Sequence, residues 1–73
     1  MSEQIVKQSA ALCGQGKFQE AIQLIEANLS LFDEITRLPA LLHGYYAAQE
    51  ANDMSKAKSF AMLIAIEDPN VPL

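Results

Sequence analysis

Chemistry at a protein site needs a nucleophile, a base, a set of metal ligands or a pair of carboxylates. This chain holds few of them. It has one cysteine, Cys13, and one histidine, His43. A cysteine nucleophile needs a base within hydrogen-bond reach and a third group to orient that base. One cysteine and one histidine on a small helical chain read as a chance pair, so no enzyme and no catalytic residue are expected. A single cysteine also excludes an internal disulfide, and with one histidine it cannot supply a Cys/His zinc set. Asp33-Glu34 and Glu67-Asp68 are paired carboxylates. Both pairs fall at segment boundaries, where acids serve as caps and solvated ends. Asn28-Leu29-Ser30 matches the glycosylation pattern but lies in a helical stretch and carries no weight. No metal and no cofactor are expected.

The bulk properties point instead to regular helix packing or to a partner. The 73 residues make one small domain, 1–73, that is 51% hydrophobic and 19% charged, against a usual charged share of about 25%. A chain of this size buries only about 60% of the surface its unfolded form exposes. Without a disulfide or a metal, regular helix packing or partner binding must stabilise it. The net charge is −4. Phosphate contacts need clustered cations, and Lys7, Lys17, Arg37, Lys56 and Lys58 are scattered. No helix has a basic face, which weighs against a helix-turn-helix DNA binder, and no nucleic acid is expected. The start, "MSEQIVKQ", is polar and has no apolar h-region, so no signal peptide is expected, and Met1 makes it look like a natural N-terminus. The longest apolar run, Phe60 to Ile66, is far short of the roughly 18 residues of a membrane span. A soluble cytoplasmic protein is expected.

These residues must be placed by helices, because no segment alternates with period two and helical spacing appears four times. The first helix is expected over about 2–13, with Ile5, Ser9 and Leu12 on one side and Val6 and Cys13 beside them. Gly14-Gln15-Gly16 stops it. The second is expected over about 18–29, with Phe18, Ala21, Ile22, Ile25 and Leu29 as a stripe and Leu24 off it. The third is expected over about 36–51, with Asp33 or Thr36 as N-cap and Pro39 tolerated in the first turn. Its expected stripe is Leu38, Leu41, Leu42, Tyr45 and Ala48. Asn52-Asp53 breaks the chain again. The fourth is expected over about 54–66, with Met54, Ala57, Phe60, Ala61 and Ile64 facing one way, and Glu67-Asp68-Pro69 ends it. Short loops join such helices into antiparallel hairpins.

The two hairpins, about 2–30 and about 36–67, repeat each other. "GQGKFQEAIQLI" and "EANDMSKAKSFA" each carry a polar turn, a large apolar residue (Phe18, Met54) and an alanine three positions later (Ala21, Ala57), 36 residues apart. A period near 34 with a small residue at the helix crossing is the tetratricopeptide (TPR) pattern. The expected fold is therefore all-α, two TPR-like hairpins with a concave apolar groove, against a plain four-helix bundle whose repeat is coincidental. Position four of a TPR unit is aromatic, but Ile5 and Leu41 stand there. The mid-helix glycine of the pattern is absent in the first unit, and Tyr45 stands at its place in the second.

Stacked hairpins line a concave face with the first helix of each unit. The groove positions are Val6, Ala10 and Cys13 in the first unit, and Leu42, Tyr46, Gln49 and Glu50 in the second. Such a groove accepts an amphipathic helix or an extended segment. Core packing competes for each of these residues, most strongly for Val6 and Cys13. In "FAMLIAIEDP", Met62, Leu63 and Ile66 fall off the core stripe. Three exposed apolar residues in five make a patch that suggests a partner. The tail Val71-Pro72-Leu73 is long enough to cover only part of it.

The order and spacing of three segments resemble a known family. "SAALCGQGKFQEAI" is a helix end, a glycine turn and an alanine-bearing helix. "DEITRLPALL" places a proline near the start of a leucine-rich helix. "LIAIEDPNV" is an apolar helix closed by acids and proline. Over roughly Lys7 to Val71 the chain resembles the small TPR-type chaperones of type III secretion needle subunits, whose members are often longer at the N-terminus. The resemblance implies a cytoplasmic chaperone that buries the apolar C-terminal helix of a needle subunit, together with a small helical co-chaperone, and so prevents premature polymerisation. It implies no chemistry. The other reading is a generic TPR adaptor or a self-associating module, whose last helix pairs with its own copy in a C2 homo-oligomer.

Overall fold

The computed structural model describes Ser2 to Leu73. It is all-helical: α1 Ser2–Gly14, α2 Phe18–Ala27, α3 Arg37–Glu50 and α4 Met54–Glu67, with a short 3-10 turn, Leu29–Leu31, after α2. No strand occurs among the described residues. The radius of gyration is 11.0 Å, about the value for a compact fold of this length. Its thinnest dimension is 18 Å, roughly two helix diameters. In a body two helices thick, every helix has a side near solvent.

Both hairpin turns are built alike. At the first, the Lys17 N–H donates to the Leu12 carbonyl (2.8 Å) and the Gly16 N–H to the Cys13 carbonyl (3.1 Å). At the second, the Asp53 N–H donates to Ala48 (2.8 Å) and the Asn52 N–H to Gln49 (3.1 Å). Each pair is a Schellman closure, which needs a left-handed residue at its centre. Gly16 has φ +78° and Asn52 has φ 60°. These centres lie 36 residues apart, as do the helix starts Phe18 and Met54. The sequence repeat is thus a repeat of backbone hydrogen bonding. The second turn adds a cap, because the Asp53 carboxylate accepts from the Lys56 N–H at 3.2 Å.

The core is Ala21, Ile22 and Ile25 of α2, Phe32 of the link, Ala40, Leu41, Ala47 and Ala48 of α3, and Ala57, Phe60 and Ile64 of α4. Alanines dominate, so the helices lie close. α3 is the central helix, packed on α4, α2 and α1. This explains a correction to its expected face. Leu38, Leu42 and Tyr45 are only half-buried, while Ala40, Leu41, Gly44, Ala47 and Ala48 are buried. A central helix needs small residues where neighbours press from several sides, and the alanines and glycine provide them. Gly44 is the mid-helix glycine, one position before the expected one. A Cβ on it would lie 2.6 Å from the Phe60 ring. Met54, expected to face inward, is exposed.

The link between the hairpins is ordered by its own polar groups. The Asp33 carboxylate accepts from the N–H groups of Ile35 and Thr36, both at 2.9 Å, and from the Thr36 hydroxyl at 3.0 Å. The Thr36 and Ser2 hydroxyls share a buried hydrogen bond of 3.1 Å that ties the start of α1 to the start of α3. Thr36 occupies the N-cap position but makes no side-chain cap hydrogen bond, and Asp33 orders the turn before the helix through its side chain. Pro39 sits at the third helical position, where an N–H would have no intrahelical partner. Phe32, which sequence reading left in the link, is buried and plugs the core. The Arg37 guanidinium donates to the Phe32 carbonyl at 2.8 Å and pairs with Glu67 at 3.2 Å.

Candidate interaction surface

Two apolar surfaces flank the first turn of α3. One lies between α1 and α3. Val6 lines a depression of about 240 Å³ there with Ile35, Thr36 and Pro39, and Glu3 and Lys7 stand at its edge. Further along, Ala10 and Cys13 of α1 and Leu42 of α3 are half-buried. Val6, Cys13 and Leu42 also pack against the core, so each serves packing and surface together. Tyr46, 48% exposed, sets its ring edge-on to Phe18 with centroids 6.1 Å apart and planes at 76°. That is the T-shaped arrangement aromatic rings favour. Gln49 and Glu50 are exposed on the last turn of α3.

A carboxylate stands beside Tyr46 at this end. The Glu50 carboxylate beside Tyr46 pushes the phenol up from its ordinary value, with its hydrogen bond, partial burial and the nearby Cys13 adding in the same direction. α1 and α3 have no basic residue in their last turns; the cation at this end is Lys17, in the turn after α1, which lines a shallow pocket with Gly16 and Ala51. Burial raises the Cys13 thiol. A reactive cysteine needs the opposite shift, so Cys13 is protonated at neutral pH and behaves as a small apolar side chain.

The second surface belongs to α4. Met62, Leu63 and Ile66 are 62%, 38% and 76% exposed. Leu63 and Ile66 line a depression of about 210 Å³ with Leu29 and Leu41, and the Arg37–Glu67 pair stands beside it. Val71 packs on the core, held by a turn in which its N–H donates to the Asp68 carbonyl at 3.3 Å. The tail therefore docks without covering Met62 or Ile66.

The eight expected contact residues thus fall on two surfaces. Val6, Ala10, Cys13, Leu42 and Tyr46 share the α1–α3 side, and Met62, Leu63 and Ile66 lie on α4. Sequence reading missed Ile35 and Pro39, which extend the first surface, and Leu29, which lines the second. For Leu29 and Ile35 the signal was the apolar content of "LSLFDEI", too high for a solvated link; Pro39 carried no such signal. A third cleft, of about 600 Å³, opens between α1 and α2. No cluster of three or more metal-ligating side chains occurs among the described residues. No helix among them is long and apolar enough to cross a membrane. No protein-family model, no curated protein and no solved structure matches the chain.

Proposed function

We propose that this chain is a small cytoplasmic chaperone that buries the apolar helix of a client subunit and so blocks its polymerisation. The family resemblance specifies the client as a type III secretion needle subunit, held together with a small helical co-chaperone. The observation that carries the reading is the exposure of Met62, Leu63 and Ile66 on α4, a surface that the tail leaves open. The α1–α3 side, from Val6 past Leu42 to Tyr46, is the second contact for the same client. The mechanism is competitive burial: the chaperone occupies the apolar surface that a neighbouring subunit would cover. No bond is made or broken.

Full burial of an exposed Met or Ile side chain contributes about 1.5–3 kcal/mol. Scaled by their exposure, Met62 and Ile66 together contribute about 2–4 kcal/mol of client binding. The double variant Met62→Glu/Ile66→Glu should weaken client capture by about 30-fold or more. Glutamate is a good helix former, so helicity by circular dichroism should hardly change. The test is co-expression with candidate needle subunits, then calorimetry on the purified pair. A chain that captures none of them refutes the chaperone reading. Collapse of the double variant would show that the two residues are core.

A further inference from the structure

We infer that a second copy of this chain docks head to tail on the first, with the outer side of α4 from one copy seated in the α1–α2 cleft of the next. The inference is independent of the proposed client. It starts from the 36-residue repeat of turns and helix starts, which makes the second hairpin a repetition of the first. The α2–α3 junction joins them within the chain. The same step taken once more would place a first hairpin against α4.

Both halves of that junction are open. The cleft between α1 and α2 is lined by Gln8, Ala11, Leu12, Glu20, Gln23 and Leu24. Thirty-six residues on, Ala11 and Leu12 correspond to Ala47 and Ala48, which are fully buried in the core that α2 shares. The cleft is thus the counterpart of a surface that is covered in the second hairpin. On the other half, α2 brings Ile22 and Ile25 to the core, and their counterparts on α4 are Lys58 and Ala61. The sizes are exchanged at one pair, Leu12 with Ala61 against Ala48 with Ile25, while Ala11 matches Ala47 and Lys58 brings a charge to the place that Ile22 holds in α2. Within the chain, large residues on α2 accompany Ala47 and Ala48 of α3. Between copies, the small Ala61 would accompany the larger Leu12.

Charge fixes the choice of occupant. The ion pair that joins the hairpins is Lys56–Glu26, at 2.6 Å. Carried on by 36 residues, it sets Met62 of one copy beside Glu20 of the next. Lys58 lies one helical turn before Met62 on the same face. Lys58 and Glu20 are both exposed, and neither belongs to an ion pair among the described residues. A second copy brings the matching charge to each. The contact is heterologous, so it builds an open stack instead of a closed pair. A client that takes Met62 competes with the next copy for it.

Sedimentation velocity on the purified chain, without client, tests this from micromolar to millimolar concentration. The expected result is mass that grows past the dimer. Ala11→Arg, at an exposed helical position in the cleft, should raise the dissociation constant at least tenfold with unchanged helicity. Lys58→Glu or Glu20→Lys alone should weaken association about threefold or more at low salt. An equimolar mixture of the two variants should recover association, because one of its junctions is native and the other exchanges the charges. Wild type that stays monomeric overturns the inference. So does association that Lys58→Glu abolishes while Ala11→Arg and Glu20→Lys leave it intact, since that pattern belongs to α4 pairing with α4.

Discussion

Gly44→Ala tests how closely α3 and α4 approach. The added Cβ would lie 2.6 Å from two atoms of the Phe60 ring and 2.9 Å from a third, well inside the 3.5–4.0 Å of a favourable carbon contact. Phe60 is buried, so its ring cannot swing out into solvent. Overpacking of this kind costs about 1–3 kcal/mol, and three ring atoms in conflict favour the upper half. Against it stands the helix propensity of alanine over glycine, about 1 kcal/mol. The net expectation is a loss of about 1–2 kcal/mol. A chain of this length has about 4–11 kcal/mol in all. The melting temperature should fall by about 5–15 °C. Phe60→Leu removes the ring, and in that background Gly44→Ala should be neutral or stabilising. The cycle of four proteins, followed by urea unfolding, should give a coupling of at least about 1 kcal/mol. Equal cost in both backgrounds, or a Gly44→Ala variant as stable as wild type, would refute the close approach.

The two left-handed positions should respond in opposite directions. Gly16→Ala should cost about 1 kcal/mol, because a Cβ opposes the left-handed conformation, whereas Asn52→Gly should leave stability unchanged or raise it by up to about 1 kcal/mol; urea midpoints decide. The acid limb should depend on Asp33. The Thr36 N–H, and then the Thr36 hydroxyl, hold its carboxyl below its ordinary value of 3.8. A carboxyl with a lowered folded pKa stabilises the fold above its unfolded pKa, and that contribution is lost as pH falls through the lower folded pKa. Thermal melts from pH 6 to pH 2 should therefore show Asp33→Asn losing less than wild type below about pH 4. Parallel losses would mean that the carboxylate holds nothing at the start of α3.

Much of the fold could be read along the chain, for local reasons. Four helices, the breaks at Gly14-Gln15-Gly16 and Asn52-Asp53, and the 36-residue offset follow from turn chemistry and apolar spacing within a few residues. Those signals are carried by nearest neighbours, so they need no tertiary information. The face of α3 is a different matter. Leu38, Leu42 and Tyr45 are the larger apolar residues and were expected inside, yet the buried side is Ala40, Gly44 and Ala47 with Leu41 and Ala48. Hydrophobic size predicts burial when a helix packs on one neighbour. It misleads when three neighbours press on the same helix, where close approach rewards small residues.

The apolar surfaces divide in the same way. Sequence alone determined that α4 carries more apolar side chains than one buried stripe needs, and that Met62, Leu63 and Ile66 are the surplus. Only the tertiary structure decided that Leu63 and Ile66 join Leu29 and Leu41 in a depression, while Val71 docks elsewhere. Likewise it set Val6 beside Ile35 and Pro39, residues about thirty positions away along the chain. Periodicity assigns a residue to one side of its own helix. Which surface that side meets depends on how the helices cross, and here α3, with the small residues that let its neighbours in, fixes the crossings.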